Sequence, residues 1–398
     1  MSTTKHLRNK TLHIVGCGEN VSCCLGPNKN ANLEFYDIPI PKDVTGIKKM
    51  ITGLSYSAFI DQEGRLFEWG QLTLKTPVLE IPTPCQYFIN RNLKIVDASC
   101  INRHVVVITD NNQVYTWGHN YKHFFPNCDR DFVDSNDPAL IEFANVNCNP
   151  VAVACGGFFT MVLFENGDVY SFGFNRENCL GVEDPDIILR VPTKMDLRNI
   201  IHISSGWSHG CAINKNHILY AWGRTSFGRL GHIHGCYISD IDIGLTNTSI
   251  STSKENGSDE FLVKTACCSH TSTFALSYQG DLFSCGWNQS GENGVGHKKS
   301  TRYMRKVIFD SNPAEINPTQ SRRIKNQKKG IAMISGGAGT FIVLDESGIA
   351  YASGSNKNNM IGLGKNCEES LIFSQITALK HVKYAAAGYI HSLFAVEC

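Results

Sequence analysis

Along this chain, short runs in which apolar and polar residues alternate come back about every fifty residues, and no run of helix length has apolar residues at helical spacing. Alternation with period two puts residues i and i+2 on one face of a strand, so the pattern predicts sheets. Four of the clearest runs are Leu66-Phe67-Glu68-Trp69, Val114-Tyr115-Thr116-Trp117, Val169-Tyr170-Ser171-Phe172 and Leu219-Tyr220-Ala221-Trp222, and each is followed at once by glycine. The closing glycines are Gly18, Gly70, Gly118, Gly173, Gly223, Gly286 and Gly354, with successive spacings of 52, 48, 55, 50, 63 and 68 residues. A repeat of this length marks an array of supersecondary units before any finer reading is made.

Each unit is punctuated alike. Six residues before the closing glycine stands Gly64, Gly167, Gly280 or Gly348, with Asn112 and His217 in two further copies. These residue types enter the left-handed backbone region at low cost, as a short hairpin turn requires. Ahead of each hairpin lies a run of small residues, such as Ser204-Ser205-Gly206, Ser335-Gly336-Gly337 and Ala385-Ala386-Ala387-Gly388. Sheets arranged radially bring their innermost strands together at an axis, where large side chains do not fit. The final copy ends before any closing glycine, while the chain begins with a closing strand, Leu12-His13-Ile14-Val15-Gly16-Cys17-Gly18, that has no opening partners. Joining the two completes one unit. The expected fold is therefore all-β: one domain over residues 1–398, a seven-bladed β-propeller closed by pairing N-terminal with C-terminal strands, which leaves no open sheet edge.

The combination Gly206-Trp207-Ser208-His209, a hairpin, Trp222-Gly223 and then Gly228-Arg229-Leu230-Gly231 resembles the regulator-of-chromosome-condensation repeat family of seven-bladed propellers. Gly388 to His391 repeats the first half; Phe172-Gly173-Phe174-Asn175 with Leu180-Gly181, and Cys285-Gly286-Trp287-Asn288 with Gly291, repeat the second. The resemblance covers nearly the whole chain. It departs near Gly70, where the Leu-Gly loop is lost, and near Gly118, where Phe124-Phe125-Pro126 replaces it. Gly206, His209, Trp222, Gly223, Gly388 and His391 are read as structural repeat positions. The histidine slot is filled elsewhere by Tyr56, Thr160, Thr271 and Thr340, and hydroxyls can stand in for imidazole as hydrogen-bonding groups.

Composition changes this picture little. The 398 residues carry a formal charge of +1, so no global field drives the chain onto nucleic acid or anionic lipid. No apolar run of signal-peptide or membrane-span length occurs, and the expectation is a soluble, monomeric, intracellular protein of nucleus or cytoplasm. The 16 cysteines include no Cys-x-x-Cys pair, and they read as small buried hydrophobes rather than metal ligands. Gly16-Cys17-Gly18 and the glycines at 291, 294 and 296 lack the remaining elements of dinucleotide and phosphate loops. No catalytic, cofactor or metal constellation is found by spacing.

Two insertions lengthen later repeats. Residues 234–260 are polar and acidic. Residues 298–329, read as a basic loop, carry Lys298, Lys299, Arg302, Arg305, Lys306, Arg322, Arg323, Lys325, Lys328 and Lys329 against Asp310 and Glu315. Such a cluster reads as a solvated loop kept soluble by its charge, or as a contact for an acidic protein face or an import receptor, ahead of direct nucleic-acid binding, because few aromatics interleave it. The function expected is a non-enzymatic scaffold or regulatory subunit gripping a protein partner through one face of the ring. The alternative, implied by the resemblance alone, is a guanine-nucleotide exchange factor for a Ran-like small GTPase.

Overall fold

The computed structural model describes residues 12–27, 34–119, 134–184, 186–231, 239–240, 262–310 and 330–397. They form seven four-stranded antiparallel sheets, six of them made from consecutive strands. Counting each sheet as a blade, blade four comprises Ile200–Ser205, His209–Asn214, Leu219–Gly223 and Ser239–Asp240, from the axis outwards. Blade seven pairs Val382–Ala387 and His391–Glu397 with Leu12–Gly18 and Tyr36–Ile38. The seam is in full register from Leu12 opposite Glu397 to Gly18 opposite His391, so the closure expected from the two chain ends is the one observed.

The small-residue runs are the innermost strands. Together they surround a central cavity of about 440 Å³. The hairpin turns take positive φ at Gly64, Asn112, Gly167, His217, Gly280 and Gly348, between 61° and 84°, which is why glycine, asparagine and a lone histidine occupy that position.

Two repeated devices hold blade to blade. At the upper mouth of the cavity, where each innermost strand turns into the second, backbone bonds run from loop to loop: Leu54 N–H to Asn102 O (2.8 Å), Gly157 N–H to Trp207 O (2.8 Å), Trp207 N–H to His270 O (3.2 Å), His270 N–H to Gly337 O (3.1 Å) and Ala338 N–H to Gly388 O (3.1 Å). A Cβ on Gly206 would lie 2.3 Å from the Ser269 carbonyl of the next blade, so this approach excludes any side chain. Farther out, a carbonyl in the loop after one blade's third strand is captured by a side chain of the following blade. Trp69 Nε1–H and Ser57 Oγ–H donate to Cys24 O, Trp222 Nε1–H to Cys179 O, Thr273 Oγ1–H to Arg229 O, Ser353 Oγ–H to Glu292 O and Ser392 Oγ–H to Met360 O. The repeated tryptophan is thus a donor reaching back to the preceding blade as well as a packing residue.

Every innermost strand also carries a β-bulge at its second residue. The register shifts lie between Ile47 and Lys49, Ile95 and Asp97, Pro150 and Ala152, Ile200 and His202, Val263 and Thr265, Ile331 and Met333, and Val382 and Tyr384. The bulged residue leaves the ladder and is exposed in all seven blades, at the lower end of the cavity.

One sequence expectation needs correcting here. Residues 301–306 of the supposed basic loop are the outermost strand of blade five, Thr301–Lys306. Thr301 and Met304 are buried there, and Lys306 and Arg305 pair with Phe283 and Ser284. The apolar anchor at Met304 outweighs the flanking charge. Most of the acidic insertion lies outside the described residues, as do Phe124-Phe125-Pro126.

Candidate functional site

The histidines offer the first candidate chemistry, and their geometry is that of blade joints. Ser57 gives its one proton to Cys24 O, so the 2.9 Å contact between Ser57 Oγ and His391 Nε2 has the imidazole donating. His209 Nε2 likewise meets Thr273 Oγ1 at 3.1 Å, while that hydroxyl donates to Arg229 O at 2.7 Å. Burial pushes His391 down to about 4 and His104 to about 3, so both are neutral over the range in which histidine ordinarily switches. Gly223 pairs with His209 and Gly388 turns the upper loop of blade seven.

The pairing of closing glycines also corrects the slot itself. Opposite Gly70, Gly118, Gly173, Gly223, Gly286, Gly354 and Gly18 stand Tyr56, His104, Phe159, His209, Ser272, Thr340 and His391. Thr160 and Thr271 therefore sit one residue from the position assigned to them. Counting from the wrong member of Gly156-Gly157 produces the first slip. His104 went unnoticed because no glycine precedes it by three.

Many of the cavity's polar groups are consumed by the ring. Adjacent innermost strands share no ladder, and their side chains bridge the gap. Asp97 accepts from Lys49 Nζ at 2.5 Å and from Val153 N–H at 2.9 Å; Ser99, Ser204 and Ser335 accept from Cys155, Cys268 and Ala387 N–H; His202 Nε2 donates to Ala266 O at 2.7 Å. None of the 13 described cysteines is in a disulfide, and all are buried or half-buried. Among the described residues no cluster of histidine, cysteine and carboxylate could hold a metal, and no helix is long and apolar enough to cross a membrane.

What remains available is at the upper mouth. Phe158, Trp207, His270 and Tyr389 come from the loops of blades three, four, five and seven, and their rings touch: Phe158 to Trp207 at 5.2 Å, Trp207 to His270 at 4.6 Å, and His270 to Tyr389 at 5.6 Å between centroids. Tyr389 is 39% exposed. Burial pushes His270 down to about 4, which leaves it a neutral, flat ring. Farther out, Phe227, 45% exposed, lies edge-on to Trp287 at 4.3 Å. Rigid aromatic groups at the centre of a loop-rich face have the composition of an interaction hot spot.

The basic residues lie on the rim. Lys298 pairs with Glu369, and Lys306 with Asp281 at 2.8 Å. Lys299 is exposed at the end of the preceding loop, and Arg302 and Arg305 are exposed without an ion pair among the described residues. Arg322, Arg323, Lys325, Lys328 and Lys329 lie outside the described residues. Neutralising Arg302 and Arg305 together with glutamine should change the unfolding free energy by less than about 0.5 kcal/mol; a loss beyond that in chemical denaturation would show that they support the blade.

A family model described as RCC1-like domain matches residues 70–397. The Ultraviolet-B receptor UVR8 of Arabidopsis thaliana is 25% identical over 313 residues, which are 78% of this chain and 64% of that protein. The Guanine nucleotide exchange factor SRM1 of Saccharomyces cerevisiae is 24% identical over 312 residues, 76% of this chain and 61% of that protein. The chain thus spans less than two thirds of the length of both. Among solved structures, that of Prp20p from Saccharomyces cerevisiae, reported with its binding to Gsp1p and histones, superposes with a TM-score of 0.75 at 20% identity and covers 97% of this chain and 92% of its own.

Proposed function

This chain belongs to the RCC1-like domain family, and from that premise we propose that it is a non-enzymatic interaction propeller that grips a protein partner through the upper face of the ring. The observation that carries the reading is the contact cluster of Phe158, Trp207, His270 and Tyr389. These residues sit on loops already tied to one another through their backbones. A partner meeting such a surface would order little of it on binding, which favours affinity.

The test is a double substitution, Trp207→Ala with Tyr389→Ala, in the full chain. Both side chains lie at the mouth rather than between sheets, and with Trp207 half-buried the variant should stay folded with a modest drop in melting temperature. It should lose on the order of a hundredfold in affinity for its principal partner, as truncation of two central hot-spot residues does. Undiminished binding to the folded variant would sink the assignment of this face.

A second reading is exchange activity toward a small GTPase, favoured by the name of the yeast relative. Exchange would require the propeller to hold the nucleotide-free GTPase more tightly than the loaded one. Adding the protein to a Ran-type GTPase loaded with fluorescent nucleotide should then speed release above the intrinsic rate; no acceleration leaves the scaffold reading alone. The exposed basic rim of blade five is proposed as an accessory contact for an acidic partner surface or an import receptor. In that case the Arg302 and Arg305 double variant changes the protein's distribution in cells or its set of partners, and an unchanged pattern in both removes the proposal.

A further inference from the structure

The seven bulges at the lower mouth place one exposed side chain per blade at equivalent positions, because a bulged residue is freed from the ladder and re-aimed. The fold dictates where these side chains stand but places little demand on what they are, so their identities carry information about use. Taken around the ring they are not mixed. Blades two, three and four carry Val96, Val151 and Ile201, which are 40%, 43% and 45% exposed. Blades five, seven and one carry Lys264, Lys383 and Lys48, all exposed, with Ala332 between the first two.

Within each blade the register places the bulge at the second residue of the innermost strand, so these residues hold equivalent places from blade to blade. Val153 N–H donates to Asp97 Oδ2 across the gap between blades two and three, which sets Val96 and Val151 at similar heights. Lys383 meets Glu397 at 3.4 Å, an exposed pair of little strength. Lys48 and Lys264 have no ion pair among the described residues. Half of the lower mouth is therefore a branched aliphatic arc and the facing half a cationic arc, with charge left to be answered.

We propose that the lower mouth docks an acidic amphipathic helix of a partner protein, laid across the opening with its aliphatic stripe on Val96, Val151 and Ile201 and its carboxylates toward Lys264 and Lys48. The two arcs face each other across one opening, and an amphipathic helix presents an apolar stripe and a charged face back to back. Partner binding through a peptide helix in this manner relies on a few aliphatic anchors at i, i+3, i+4 and i+7. This surface is opposite the aromatic mouth and does not rest on the function proposed for it. With both occupied, the ring would hold two partners at once.

The probe is a fluorescein-labelled designed helix with leucine along one stripe and glutamate along the other, titrated into the full-length chain by anisotropy. Controls are a sequence-scrambled isomer of equal composition and a version with lysine in place of glutamate. The amphipathic acidic helix should bind saturably, weaken as salt rises, and lose on the order of tenfold or more in affinity to Ile201→Asp and, separately, to Lys264→Glu. The Trp207→Ala, Tyr389→Ala variant should bind it as the wild type does, which keeps this result apart from any failure at the upper face. Because Ile201 and Lys264 are exposed, an unchanged melting curve accompanies both lower-mouth variants. Equal binding of the scrambled or lysine peptide, wild-type binding by both lower-mouth variants, or no saturable binding of the acidic helix would overturn the proposal.

Discussion

Replacing Trp222 by alanine is expected to lower the unfolding free energy by about 4–5 kcal/mol, a large part of the ~5–15 kcal/mol that folded domains possess. The side chain is fully buried between blades three and four, packed with Phe159, Leu163, Leu180 and Met195. Gly181 and Gly210 lie close against its ring, so near that a Cβ on either would fall within 2.9 Å of it, and the site cannot close over the space an alanine leaves. Two terms add: the apolar volume removed, and the Cys179 carbonyl stripped of its donor at 3.1 Å. Trp222→Phe separates them. It keeps a six-membered aromatic ring and loses the indole N–H with a smaller part of the buried volume, so its cost should be about 2–3 kcal/mol. Urea titration of both variants measures the difference; both lack the N–H, so a Trp222→Phe variant as stable as the wild type would mean that the inter-blade hydrogen bond contributes nothing.

The second large effect concerns pH. Glu292 is 1% exposed in the loop after the third strand of blade five, against blade six. Its Oε2 accepts from Ser290 N–H at 3.0 Å, while Oε1 is buried without a partner. Burial raises its pKa from 4.5 to about 7, helped by the nearby Glu369, which is itself paired with Lys298. With the folded value above the unfolded one, the native state binds the extra proton between those two pH values. Stability is therefore greatest, on this group's account, below about pH 4.5 and is lost as pH rises through 7. The shift amounts to about 3 kcal/mol at pH 8. Met360 fills the equivalent position in the next loop, its carbonyl accepting from Ser392 as that of Glu292 accepts from Ser353. Glu292→Met should accordingly stabilise the protein by about 2–3 kcal/mol at pH 8 and by less than about 0.5 kcal/mol at pH 4. The same increment at both pH values would show that the carboxyl is ionised alike in folded and unfolded chains.

The blades and their number could be read from the chain because their markers are local. A glycine or asparagine with positive φ, a run of tiny residues and a strand of alternating polarity each declare themselves within ten residues. The slot opposite each closing glycine was less secure. It depends on pairing, and adjacent glycines at 156 and 157 allow two countings that differ by one residue. The tryptophan clamp was out of reach because Trp222 and Cys179 are 43 residues apart, and no pattern within a repeat reveals a bond between repeats. The aromatic mouth was overlooked for a related reason. Trp207, His270 and Tyr389 are solitary in their own loops, yet each stands two residues before the slot opposite a closing glycine, an offset at which superposed repeats gather them; Phe158 stands one residue before its slot and falls outside that alignment. The basic stretch misled in the opposite direction, since ten cations in thirty-two residues obscured the two buried side chains, Thr301 and Met304, that make part of it a strand.

The seam of blade seven has a consequence for how the protein is made. Leu12–Gly18 leaves the ribosome before the strands of the other six blades, and its ladder partner His391–Glu397 follows them all. At translation rates of about 5–20 residues per second, the early strand waits tens of seconds with bare amide groups along one side. During that interval six finished blades form an open arc rather than a ring. Newborn chains are accordingly most prone to swap this strand with one another, and a chaperone that shields an unpaired strand edge would raise the yield of closed rings more than one that shields loose helices.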